Sequence, residues 1–209
     1  MPTSFLAFPG EIRWKIYKHL LVLDVPIEPY VCRSLRLRRR LRILRTNKKV
    51  YREASKLFYS RNRFAFVNCA PDWISLFLKQ IGCTNASYIQ DICLPTLHIS
   101  YDKKRNVALA DDEDRALRYI RSYCTDLRTI RTALYSMDYM YHKSREVGGF
   151  NAMLEILSAR FRGIKPLRKI VGEVHRNNPF FKDMTRVMRH HGWKVKLLAQ
   201  SQYRGTTFE

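Results

Sequence analysis

Acidic residues are scarce in this chain: 18 Asp and Glu stand against 39 Lys and Arg in 209 residues, for a formal charge of +21. An excess of that size attracts polyanions and anionic surfaces at long range, subject to salt screening, and says nothing about fold. No tract rich in Gly and Ser or in Pro occurs, and nearly half the residues are apolar, so general disorder and a flexible inter-domain linker are both excluded. Glycine is sparse. The pair Gly148–Gly149 is not framed as a phosphate-cradling loop or a dinucleotide fingerprint, and nucleotide hydrolysis is not expected. Cys32, Cys69, Cys83, Cys93 and Cys124 are odd in number, widely spaced and without a C-x-x-C pair, which excludes a disulfide framework and a zinc ribbon. No apolar run approaches membrane-spanning length, and "MPTSFLAFPGEIRWK" lacks the basic start and apolar stretch of a signal peptide. A reduced chain in the nucleus or cytoplasm, with no membrane partner, is the expectation.

What is present is an alternation of helical and extended patterns. "FPGEIRWKIYKHLLVL" reads as a helix with Ile12, Ile16 and Leu20 on one face, widened by Tyr17 and Leu21, and with Pro9 and Gly10 at its start. Pro26 and Pro29 mark a connector. From Thr46 the period is helical: Val50, Ala54, Leu57 and Phe58 line one side, with Thr46 or Asn47 placed to cap. From Arg63 on, strands are expected at 63–68, 88–99, 127–135, 167–174 and 193–200, separated by helices at 72–82, 111–124, 150–161 and 179–192. Such alternation points to a mainly parallel sheet built by crossovers, and "LRTI" at 127–130 echoes "LRKI" at 167–170. The expected fold is α/β: a helical segment over 1–62 and a short, irregular helix–strand array over 63–209, packed as one compact unit.

Residues able to carry chemistry do not converge. Asp111, Asp112, Glu113 and Asp114 fall where a helix N-terminus favours negative charge. His190 and His191 adjoin, which on a helix points them apart. Cys93 and Cys124 read as small buried hydrophobes. No metal, no cofactor and no enzymatic activity are expected.

The stretch Arg33–Phe58, "RSLRLRRRLRILRTNKKVYREASKLF", holds eleven Lys and Arg and one acid, Glu53. Its second half is an amphipathic helix with a basic outer side. Its first half fits two templates: a strand with Leu35, Leu37, Leu41 and Ile43 on one side, or a helix with Leu37, Leu41 and Leu44 in a stripe. Folding explains its arginines least. Arg36, Arg38, Arg39, Arg40 and Arg42, with Lys48 and Lys49, are the candidate polyanion-binding residues, and DNA or RNA is one class of partner they suit.

The N-terminal helix resembles the first helix of an F-box, in which Leu/Phe-Pro and an acid precede Ile, Ile and Leu at four-residue steps; Phe8, Pro9, Glu11, Ile12, Ile16 and Leu20 occupy those positions. "ILRTNKKVYREASKLFYSRNRFAFVN" is similar to the segment that follows in F-box-like proteins common in filamentous fungi, through Val50, Tyr51, Glu53, Ala54, Phe58, Tyr59, Asn62 and Phe64. The resemblance implies a substrate receptor of a Skp–cullin ubiquitin ligase. Phe8, Pro9, Ile12, Ile16 and Leu20 would dock on a Skp-type adaptor protein, and the αβ region would hold an acidic or phosphorylated protein target. The alternative is a nucleic-acid-associated protein in which these helices are structural and the arginines contact phosphates.

Overall fold

A computed structural model describes residues 4–30, 35–67, 69–95, 99–101, 107–132, 149–175 and 180–198. The amino-terminal part is helical: a 3-10 turn at Phe5–Ala7, α1 at Gly10–Leu21, α2 at Leu35–Leu41, a second 3-10 turn at Arg42–Arg45, and α3 at Lys48–Arg61. Asn47 starts α3 as its cap, its side-chain oxygen accepting the Lys49 amide at 2.7 Å. Over Leu35–Leu41 the two readings left open by the sequence resolve to a helix. Leu37 is buried and Leu41 half-buried, one turn apart, whereas Leu35, which a strand would put beside Leu37, is exposed.

The rest is a helix–strand array. Five strands, β1 (Arg63–Ala65), β2 (Asp91–Leu94), β5 (Thr129–Thr132), β6 (Lys169–His175) and β7 (Lys194–Leu198), form one wholly parallel sheet in the order β1-β2-β5-β6-β7. The helices between them are α4 (Asp72–Ser87), α5 (Asp111–Tyr123), α6 (Gly149–Arg162) and α7 (Phe181–His190), so that seven α-helices are found among the described residues. The sheet is the parallel one that the alternation led us to expect. The echoed segments are neighbours in register, Ile130 opposite Ile170.

Three details depart from the sequence reading. The expected strand over 88–99 stops at Leu94, because Pro95 has no amide to give the ladder; Ile99 instead opens β3 (Ile99–Tyr101), which pairs antiparallel with β4 (Val107–Leu109) in a separate two-stranded sheet. The basic run 102–106 lies outside the described residues. The helix expected over 72–82 runs on to Ser87, with Pro71 at its cap position and Gly82 as an interruption inside it. At φ 79° and ψ 161° Gly82 takes a backbone conformation costly for any residue with a Cβ, after which the helix resumes. Finally, His190 closes α7 and His191 caps it, and their rings meet edge to face at 5.6 Å rather than pointing apart.

One face of the sheet packs under the helices. Phe64, Ile92 and Ile130 belong to a buried apolar cluster that runs without interruption from Tyr17 and Leu21 of α1 through Leu78, Ile120 and Leu154 to Met184 and Trp193. The Trp193 indole N–H donates to the Ser158 hydroxyl at 2.8 Å, which satisfies the polar atom that burial would otherwise strand. On the opposite face, Arg63, Asp91, Thr129 and Lys169 form one row, and Ala65, Cys93, Arg131, Val171 and Lys194 the next, because neighbouring residues of parallel strands share a side.

Candidate functional site

Helix α1 presents two different sides. Its core side is Arg13, Tyr17 and Leu21, spaced by four, rather than the Ile12, Ile16 and Leu20 row one position earlier. The reason is polar. Arg13 is only 6% exposed, yet its guanidinium reaches Glu53 of α3 through Nε at 3.0 Å and through the terminal Nη2 at 2.7 Å, and it also donates to the Phe8 carbonyl. The Tyr17 hydroxyl donates to the same carboxylate at 3.0 Å. A buried cation in such a fork is stabilised only while its partner is present, so the Arg13–Glu53–Tyr17 group fixes how α1 is rotated on α3. Hydrogen bonding to Arg13, and secondarily to Tyr17, holds the Glu53 carboxyl below its ordinary range, while burial is the main reason that the Tyr17 phenol sits above its own.

The sequence reading missed this group. Glu53 stood out as the lone acid in a run of cations, but its partner lies forty residues earlier and no local pattern links the two. Asn62 is a second pin: its amide donates to the Leu21 and Phe58 carbonyls and its oxygen accepts the Leu23 amide, each at 2.8 Å, so that the ends of α1 and α3 are tied together.

With α1 held so, the residues expected to dock on an adaptor divide. Phe8 is 42% and Ile12 39% exposed, and Pro9, the residue before the helix, is exposed as well. Ile16 is half-buried. Leu20 is half-buried and packs on the core. Trp14, on the far side of the helix, is also exposed, with the Lys18 ammonium 5.5 Å from its ring centre. The accessible apolar row is therefore Phe8 and Ile12 with the edge of Ile16.

The candidate polyanion-binding residues fall on α2, the turn after it and the first turn of α3. Arg38, Arg39, Arg42, Lys48 and Lys49 are exposed, and Arg40 is half-buried. Arg36 lies in the first turn of α2. Arg45 and Arg52, which the sequence reading did not single out, add to the same surface: with Leu44, Thr46, Asn47, Lys48 and Tyr51 they line a shallow hollow of about 700 Å³. Among the described residues no carboxylate lies at ion-pair distance from Arg38, Arg39, Arg40, Arg42, Arg45, Lys48, Lys49 or Arg52.

Among the described residues no group of three or more His, Cys, Asp or Glu is placed to hold a metal ion. Asp114 receives Arg118 at 3.2 Å and Arg160 of α6 at 3.1 Å, and Asp112 accepts the Glu113 amide, so this acidic run is engaged with α5 and α6. Burial pushes the Cys93 and Cys124 thiols up to about 12, which keeps both protonated and unreactive at neutral pH. No helix among the described residues is long and apolar enough to cross a membrane. The chain matches no family model, no curated protein and no solved structure.

Proposed function

We propose that the protein is a non-enzymatic, F-box-like adaptor, in which the exposed row Phe8–Ile12–Ile16 of α1 docks on a Skp-type adaptor protein and the basic αβ body holds an acidic or phosphorylated target. The observation that carries this reading is the exposure of Phe8 and Ile12 on a helix whose other side is locked by Arg13, Tyr17 and Glu53. A rigidly presented apolar row loses little entropy when a partner covers it. The nucleus or cytoplasm is where such a ligase component works. Affinity capture at near-physiological salt, with and without nuclease, tests the reading: a Skp-type subunit is retained in both samples.

A second reading has its own support. The hollow beside Tyr51, which is 43% exposed, combines unpaired cations with an aromatic face on which a base can stack. Here the protein binds DNA or RNA through phosphates, and nuclease treatment strips the captured material.

A further inference from the structure

The amino-terminal edge of the parallel sheet holds a cleft that shares no residue with α1 or with the α2–α3 surface. It is about 390 Å³ in volume and is lined by Arg61, Arg63, Arg128 and Arg131 together with Asp91 and Asp24. Its walls are fixed. Arg131 of β5 and Asp91 of β2, offset by two residues on the sheet face that also carries the buried Cys93 and Val171, are joined by a fork at 2.8 to 3.1 Å. Asn62, fully used in tying Leu21, Leu23 and Phe58, holds the adjoining wall. Arg128 sits where β5 begins, its carbonyl accepting the Arg168 and Lys169 amides and its own amide donating to Gln90.

The charges are not balanced. Asp91 is committed to Arg131, and among the described residues Arg61, Arg63 and Arg128 have no carboxylate at ion-pair distance, Asp24 included. Three unpaired guanidinium groups on one concave surface focus a positive potential there. A single carboxylate would answer one of them. A phosphate group brings close to two negative charges and three acceptor oxygens, which several guanidinium forks can share.

We infer that this cleft is a binding site for a phosphomonoester dianion, held by Arg63 and Arg128 with Arg61 at the rim and with the Arg131–Asp91 pair as its floor. The group comes either from a small phosphorylated metabolite or from a phosphorylated side chain. The site does not depend on α1 docking anything.

The test is calorimetric titration of the full chain at constant ionic strength with glycerol 3-phosphate, with a phosphoserine tetrapeptide and with its unphosphorylated twin. Saturable one-to-one binding of at least one phosphorylated probe is expected, with affinity weakened about ten- to hundredfold in the double variant Arg63→Gln, Arg128→Gln. The double variant Arg38→Gln, Arg39→Gln should keep wild-type affinity. Tighter binding of the peptide assigns the phosphate to a protein, tighter binding of glycerol 3-phosphate to a free ligand, and both support the site. Amide chemical-shift changes mapped on the wild type guard against a misfolded variant: they should centre on residues 61–63, 90–91 and 128–131. Absence of saturable binding, equal binding of the unphosphorylated peptide, or shifts centred on residues 38–52 overturns the inference.

Discussion

Among single residues, Glu53 carries more of the architecture than its position in a cationic run suggests. It receives the Arg13 guanidinium and the Tyr17 hydroxyl, so it decides which side of α1 meets the core. Tyr17→Phe keeps the ring and deletes only its hydrogen bond, and should cost about 0.5–1.5 kcal/mol in urea unfolding, since Arg13 still pairs with the carboxylate. The pH dependence has a definite sign. Glu53 is held below its ordinary value of 4.5 in the folded chain, so the unfolded chain takes up the proton first as pH falls. The stabilisation is present above 4.5 and is lost as pH falls through the lower folded value. Glu53→Gln cannot titrate, so the gap in urea midpoint between wild type and Glu53→Gln should narrow from about pH 7 to about pH 3. A gap that is constant with pH would show that the carboxylate is not held by Arg13.

The elements themselves were legible wherever period and punctuation agreed. The strands around Ile92, Ile130 and Val171 and the helices around Ile120 and Leu154 lie where apolar runs and helical spacing put them: β5 alternates half-buried and buried residues, while β2 is buried on both faces and reads as a short apolar run. Ile130, wholly buried, should cost about 2–5 kcal/mol as Ala, and its half-buried register partner Ile170 less. Over Leu35–Leu41 both periods fit, and tertiary contact decided between them. Leu37→Ala should therefore destabilise by about 2 kcal/mol or more, and Leu35→Ala by no more than about 0.5 kcal/mol, whereas equal effects would restore the strand. The rotation of α1 was not legible, since Ile12, Ile16 and Leu20 form as good an apolar row as Tyr17 and Leu21, and the polar group that selects the second row is spread over forty residues. The arginine cleft at the sheet edge was hidden for the same reason: Arg61, Arg63, Arg128 and Arg131 meet only once β1, β2 and β5 lie side by side.

At the scale of the whole molecule, one apolar core joins the N-terminal helices to the sheet, and the excess charge is left outside it on at least two surfaces, the α2–α3 side and the sheet-edge cleft. If the α2–α3 surface binds nucleic acid, replacing Arg38, Arg39 and Arg42 by Ser should flatten the dependence of log affinity on log salt by about two to three units without changing sequence preference. An unchanged slope in fluorescence anisotropy would remove that reading. The adaptor reading rests instead on the accessible end of α1. Its most direct test is co-purification of a Skp-type subunit with the wild type and with Ile12→Lys, alongside thermal unfolding of both. Because Ile12 is exposed, the substitution should change stability by no more than about 0.5 kcal/mol. A one-to-one complex is expected with the wild type and none with Ile12→Lys, at nearly equal melting temperatures; a wild type that captures no Skp-type subunit, or a variant that captures it equally well, would rule out docking through α1.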